Sequence, residues 1–113
     1  LVGAAHYLLR GKKFTSVFID EAAQALEPAC WIPLLKAQRV IFAGDHCQLP
    51  PTIKSIEAAR SGLAVTLFEK CIAAHPDVAT MLQTQYRMHE HIMAFPSHYF
   101  YNNALIADKT VAA

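Results

Sequence analysis

The sequence predicts an α/β protein built around a parallel sheet, because short apolar runs of strand composition alternate with longer helical stretches. Three runs rich in β-branched, aromatic and other apolar residues are strand candidates, at Ser16–Ile19, Val40–Ala43 and Val78–Leu82. Between them lie two helical stretches, Ala25–Lys36 and Leu63–Ala74. Parallel neighbours need a long crossover connection, usually a helix, so this alternation favours a parallel sheet.

Proline and the apolar spacing define the helix predictions. Pro28 is compatible with a first helical turn, whereas Pro33 is expected to break or kink the Ala25–Lys36 helix. The spacing of the apolar residues in Leu63–Ala74 is that of one helix face. Two further helices are predicted, a short one at Val2–Leu9 and one that contains Ile92, Met93 and Phe95, ends near Pro96 and precedes a turn at Asn102–Asn103.

Composition sets limits on the class of protein. The chain has 113 residues, of which 54% are hydrophobic and only 17% charged, so part of its apolar surface is expected to pack against elements of a larger protein. A net charge of +1 does not by itself indicate nucleic-acid binding. No apolar run is long enough to span a membrane, and no signal-peptide pattern is present.

The cysteines favour a reducing compartment. Three cysteines, Cys30, Cys47 and Cys71, form no CxxC pair and are odd in number, which argues against a disulfide framework and against a zinc site. The scattered histidines are likewise not expected to bind a metal. We therefore expect a cytoplasmic protein, or a nuclear one if its source is eukaryotic.

Two adjacent carboxylates, Asp20 and Glu21, end the first strand candidate. In an open parallel sheet the ligand crevice lies at the carboxyl ends of the strands, which is where a nucleotide-bound metal ion would sit. Solvated charges or a cap on the next helix are the alternative explanation. The second strand candidate ends in Gly44–Pro51, where Gly44 allows a sharp turn, Gln48 offers an amide and two prolines stiffen the exit. Polar groups are thus predicted to meet at one rim.

A third polar segment, Gln85–His89, follows the third strand candidate. Tyr86 offers a flat face that can stack on a base, and Arg87 offers a bidentate fork that suits phosphate oxygens.

These three segments together carry a resemblance to a known family. Asp20–Gln24, Gly44–Pro51 and Gln85–His89 resemble motifs II, III and IV of superfamily 1 helicases of the Upf1-like branch, and most closely the immunoglobulin mu-binding protein 2 type of DNA/RNA helicase. Ala25–Ala37 and Ile92–Leu105 are also similar to that type. Three motifs in the expected order make the resemblance specific.

The resemblance implies a fold, a domain organisation and a set of partners. It implies a partial RecA-like domain of the P-loop NTPase kind, with residues 1–84 as the C-terminal part of the first ATPase domain. Residues 85–113 would carry motif IV and the start of a second RecA-like domain. The partners of this chain would be nucleic acid, either single-stranded or duplex DNA or RNA, and the remainder of the helicase chain. No membrane would be involved.

The resemblance also implies roles for the site residues, with ATP and Mg²⁺ as cofactors. Asp20 would hold Mg²⁺ through a water, because that ion keeps much of its hydration shell. Glu21 would deprotonate the attacking water, Gln48 would sense the γ-phosphate, and Arg87 would contact the γ-phosphate as it leaves. Tyr86 would stack on adenine.

The sequence contains no phosphate loop. Gly11-Lys12-Lys13 is the nearest approach to Gly-x-x-x-x-Gly-Lys-Ser/Thr, and it lacks both the hydroxyl residue and the first glycine. We therefore expect an internal fragment of a longer helicase that is inactive in isolation. Two alternatives are also compatible with the sequence, an interaction module without activity and a metal-dependent nuclease that uses Asp20, Glu21, Asp45 and His46.

Overall fold

The computed structural model describes residues 1–112, which form two units that divide between Val78 and Ala79. The first unit begins with two short 3₁₀ turns, Val2–Ala5 and Tyr7–Leu9. These replace the helix predicted at Val2–Leu9, because His6 adopts an extended backbone (φ −58°, ψ 143°) that cannot continue a helix.

A pair of parallel strands is the centre of the first unit. Strand β1, Phe14–Ile19, pairs with β2, Ala37–Phe42, with Val17 opposite Val40 and Ile19 opposite Phe42. Both strands start earlier than predicted, at Phe14 and Ala37, because backbone pairing between the two strands extends beyond the apolar runs that the sequence shows. The mixed α/β class with parallel strands is thus confirmed.

Helix α1, Glu27–Leu34, makes the crossover between the two strands. Pro28 lies in its first turn as predicted. Pro33, which was expected to break or kink the helix, lies inside the last turn, and the helix ends one residue later at Leu34. Pro33 and Cys30 are both buried, which indicates that packing compensates for the hydrogen bond that proline cannot donate.

The region after β2 contains a short helix α2, Ile56–Ala58, a π-type turn Ala59–Leu63, and helix α3, Leu67–Ala74. Helix α3 therefore begins at Leu67, four residues after the predicted start at Leu63, and ends at Ala74 as predicted. Gly62, at φ 105°, interrupts the helical backbone inside the preceding turn, and Thr66 caps α3.

The start of α3 is fixed by a capping box between Thr66 and Glu69. Thr66 is fully buried, its Oγ1 accepts from the Glu69 N–H (3.2 Å), and its own N–H and hydroxyl donate to Glu69 Oε2 (both 2.9 Å). The Thr-x-x-Glu spacing is visible in the sequence and is the typical signal of such a cap.

The core of the first unit lies between the sheet and the helices. Ile19, Ala22, Cys30 and Leu67 are buried and in one cluster, with partly buried apolar side chains around them. Outside the sheet, Lys70 of α3 forms an ion pair with Glu27 of α1. Within residues 1–112, Cys30, Cys47 and Cys71 form no disulfide.

The second unit contains two short parallel strands and one helix. Strand β3, Thr84–Gln85, pairs with β4, Ile106–Ala107, and helix α4, Glu90–Phe100, lies between them in the chain. The strand predicted at Val78–Leu82 is wrong. Val78 belongs to a 3₁₀ turn, Pro76–Val78, and residues 79–83 form no regular structure.

Helix α4 continues through Pro96 to Phe100, so the predicted end near Pro96 is also wrong. The helix is held on both sides of the proline by buried residues, Met93 and Ser97. The predicted turn at Asn102–Asn103 is confirmed, and both residues have positive φ (51° and 58°), a conformation that asparagine tolerates better than most residues. Among residues 1–112 no helix is long and apolar enough to cross a membrane.

Candidate functional site

Asp20 and Glu21 lie in a tight turn at the carboxyl end of β1. Asp20 Oδ1 accepts from the Glu21 N–H (3.0 Å), and Glu21 adopts the left-handed conformation (φ 52°, ψ 40°). Both residues are exposed. A non-glycine residue in this region costs about 1 kcal/mol or more and persists only where its surroundings impose it, which is a frequent property of active sites. The turn therefore holds two carboxylates at the rim of the sheet at some cost in stability.

The ends of β1 and β2 are joined by backbone hydrogen bonds. The Ala43 N–H donates to Ile19 O and the Ala22 N–H donates to Ala43 O, both at 2.9 Å. A Cβ atom on Gly44 would lie 3.0 Å from the backbone nitrogens of Ala22 and Ala23. Glycine is required here by the close approach of two backbones. The turn after Asp20 and the loop after β2 therefore form one rigid rim.

The loop after Gly44 orients Gln48. Asp45 Oδ1 accepts from the Cys47 N–H (2.9 Å), and Asp45 Oδ2 accepts from Gln48 Nε2 (2.8 Å). The Gln48 N–H donates to Asp45 O (3.3 Å), which closes the turn. Gln48 is exposed, so its side-chain amide is held at the surface by a carboxylate.

The same loop brings together three possible metal ligands. One donor atom each from Asp45, His46 and Cys47 lies within 4.8 Å of the others. His46 thus has a carboxylate and a thiol nearby, which the scattered histidines of the sequence did not suggest. Burial, and secondarily the charge of Asp45, raise the pKa of the Cys47 thiol, which favours the neutral form. Within residues 1–112 this group includes neither Asp20 nor Glu21, so the four residues of the nuclease alternative are not assembled into one cluster.

Tyr86 and Arg87 lie in the second unit, in the loop between β3 and α4. Tyr86 is 67% exposed and Arg87 is exposed, so the faces needed for stacking and for phosphate binding are both accessible. The backbone of the loop is fixed by the Gln85 side chain, whose Oε1 accepts from the N–H groups of Arg87 (2.9 Å) and Met88 (2.7 Å). The sequence alone indicates no role for this glutamine, because the partners of a glutamine amide cannot be read from spacing alone.

The residues of the rim are compatible with a hydrated Mg²⁺. An exposed aspartate at the end of a parallel strand is the kind of oxygen ligand that this ion prefers. The donor set suits the metal and γ-phosphate end of a nucleotide. It does not provide the backbone cradle and lysine that hold the β-phosphate, since the sequence has no phosphate loop.

The chain is similar to known proteins over almost its whole length. Two family models, each described as an AAA domain, match residues 1–56 and 63–113. An uncharacterized ATP-dependent helicase of Methanocaldococcus jannaschii is 47% identical over 108 residues, which is 96% of this chain and 16% of the relative. The DNA-binding protein SMUBP-2 of Mesocricetus auratus is 49% identical over 106 residues, 93% of this chain and 11% of the relative. A regulator of nonsense transcripts 1 homolog of Arabidopsis thaliana is 48% identical over 105 residues, 92% of this chain and 8% of the relative.

The chain belongs to the Upf1-like branch of the superfamily 1 helicases. The two matches together leave out only residues 57–62, so the resemblance stated from the three motifs is confirmed along almost the whole sequence. The Upf1-like chain spans at most 16% of the length of the relatives named above.

Proposed function

We propose that this Upf1-like chain supplies the hydrolysis and γ-phosphate-sensing groups of an ATP-dependent DNA/RNA helicase. One observation carries the proposal. The ends of β1 and β2 are locked together at Gly44, so that the Asp20–Glu21 turn and the Asp45-oriented Gln48 occupy one rigid rim. Residues 1–84 would complete a first RecA-like domain, and residues 85–113 would begin a second one.

Each residue of the rim has a task that its geometry suits. Bound Mg²⁺–ATP would supply the phosphoryl bond that is cleaved. The ion would also neutralise part of the negative charge that develops on the phosphate oxygens. Asp20 would hold the ion through water, and Glu21, next to it in the turn, would accept the proton of the attacking water. Gln48, whose Nε2 is directed by Asp45, would use its remaining amide atoms to respond to the γ-phosphate.

Arg87 and Tyr86 would act from the second RecA-like domain. Arg87 would place its guanidinium near the γ-phosphate as the cleft closes, which adds positive charge where negative charge develops. Tyr86 would stack on adenine, and this contact would be retained throughout the reaction. Cleft closure and opening would then couple hydrolysis to movement along a single strand of nucleic acid.

The chain in isolation is expected to be inactive. Phosphate binding in these enzymes depends on backbone N–H groups and on the lysine of a phosphate loop, which this sequence does not contain. The catalytic tests therefore use the complete protein in which the chain occurs.

The decisive experiment replaces the two carboxylates of the rim separately. Glu21→Gln should retain Mg²⁺-dependent ATP binding and reduce ATP turnover by roughly a hundred- to ten-thousand-fold, the range expected for loss of a general base. Asp20→Ala should weaken Mg²⁺-dependent nucleotide binding as well. Binding is measured by calorimetry at several Mg²⁺ concentrations, and turnover by a steady-state ATPase assay.

Glu57→Gln is the matched control, because Glu57 is an exposed glutamate in α2. It should leave binding and turnover unchanged. Normal turnover of Glu21→Gln would remove Glu21 from the role of base, and an unchanged Mg²⁺ titration of Asp20→Ala would remove the metal assignment. Strand cleavage by the complete protein without ATP would instead favour the nuclease.

A further inference from the structure

The loop that carries Tyr86 and Arg87 is organised by a single side chain, that of Gln85. Its Oε1 accepts from the Arg87 N–H (2.9 Å) and the Met88 N–H (2.7 Å), and its Nε2 donates to Met88 O (2.7 Å). The single side-chain amide of Gln85 therefore satisfies three backbone groups, which belong to Arg87 and Met88. This fixes the path of the loop in the way that a capping side chain fixes the end of a helix.

Gln85 is itself anchored to the rest of the second unit. The Asp108 N–H donates to Gln85 O (2.9 Å), where β3 pairs with β4, and Gln85 Nε2 also lies 3.5 Å from Met93 Sδ. Met93 is a buried residue of α4. Gln85 thus connects the small sheet, helix α4 and the loop between them, and its side chain is only partly exposed.

The residues that follow Gln85 depend on this anchor. The Tyr86 and Arg87 side chains are exposed, and the Arg87 N–H donates to Gln85 Oε1. A long side chain reaches a fixed point precisely only when its Cα is fixed, because each of its own torsions adds freedom. The position of the Arg87 guanidinium therefore depends on the hydrogen bonds of Gln85.

We propose that Gln85 is a positioning residue for ATP hydrolysis, which sets the Arg87 backbone so that the guanidinium meets the γ-phosphate. The inference rests on the role of Arg87 in the proposed function. Gln85 acts through Arg87 and does not contact the substrate. Displacement of a catalytic group by about 1 Å can cost around a hundredfold in rate, so loss of the Gln85 amide is expected to lower kcat by roughly ten- to a hundredfold.

A double-mutant cycle in the complete protein tests this dependence. Gln85→Ala should lower kcat in the parent and change it by less than about twofold when Arg87 is already alanine, because the group that it positions is gone. Gln85→Glu keeps an acceptor for the two N–H groups and loses the donor to Met88 O, so its kcat should lie between those of the parent and Gln85→Ala. Gln83→Ala, at an exposed glutamine two residues earlier, is the matched control and should leave kcat unchanged.

A purely structural role of Gln85 would give a different result. Loss of folded protein would reduce kcat by the same factor in both backgrounds, so multiplicative effects would overturn the proposal. If Arg87→Ala leaves kcat unchanged, the proposed role of Arg87 is wrong, and a direct measurement on the complete protein then decides about Gln85. Amide hydrogen exchange of Arg87 and Met88 should be faster in Gln85→Ala than in the parent and Gln83→Ala, and an unchanged rate would show that Gln85 does not hold the loop.

Discussion

Replacement of Gly44 by alanine tests the rigid rim most directly. The added Cβ would lie 3.0 Å from the nitrogens of Ala22 and Ala23, about 0.5 Å closer than an ordinary van der Waals contact. Neither neighbour is the end of a flexible side chain, and Ala22 N is already held by Ala43 O at 2.9 Å. The backbones must therefore separate. Overpacking of this kind costs about 1–3 kcal/mol, and each kcal/mol lowers the Tm of a unit of this size by roughly 4–8 °C.

Thermal and urea unfolding of the 113-residue chain measure this cost. Gly3→Ala is the control, because a Cβ on Gly3 would meet nothing within 4 Å, and its stability change should stay within about 0.5 kcal/mol. Gly44→Ala should also accelerate hydrogen exchange of the Ala22 amide, because its hydrogen bond to Ala43 O joins the two backbones that must separate. Equal midpoints for the two variants and an unchanged Ala22 amide would refute the close approach as the reason for glycine.

Three further changes have separate expected outcomes. Tyr86→Ala in the complete protein should raise KM for ATP with little change in kcat, because stacking worth about 1 kcal/mol is retained through the reaction; a lower kcat at constant KM would contradict the stacking role. Thr66→Ala should destabilise the chain by about 1–2 kcal/mol through loss of the capping box, whereas Thr66→Ser should keep most of the stability in urea unfolding. The hydrogen bond from Lys70 lowers the pKa of Glu27, so this pair contributes stability above the ordinary glutamate pKa of about 4.3 and loses it as the pH falls through the lowered value. Lys70→Met should remove that part of the pH dependence of unfolding, and an identical pH profile would argue against the pair.

The local features of the fold could be read from the sequence. The two parallel strands and the helix between them were predicted because each is encoded by a continuous segment with its own composition. Asn102 and Asn103 were predicted as a turn because asparagine favours the left-handed backbone that both residues adopt. The Thr66 cap was also present as a local pattern and would have corrected the start of α3.

The errors concern features that depend on distant partners. The apolar run Val78–Leu82 has the composition of a strand, but a strand exists only where another backbone pairs with it. Val78 and Leu82 are instead 75% and 87% exposed. Helix α4 continues past Pro96 because Met93 and Ser97 are buried on either side, and no local rule predicts that packing.

The sequence alone determined the order of the polar segments, the carboxylates at the end of β1 and the membership of a helicase family. These features reside in the identity and spacing of residues along the chain. The tertiary structure alone decided how those residues are held. The left-handed turn at Glu21, the contact of Gly44 with Ala22, and the Gln85 side chain that fixes Arg87 all depend on which atoms come within a few ångströms of each other. Hydrogen bonds and steric contacts act over such distances whatever the separation in sequence, so composition and periodicity do not encode them in a readable form.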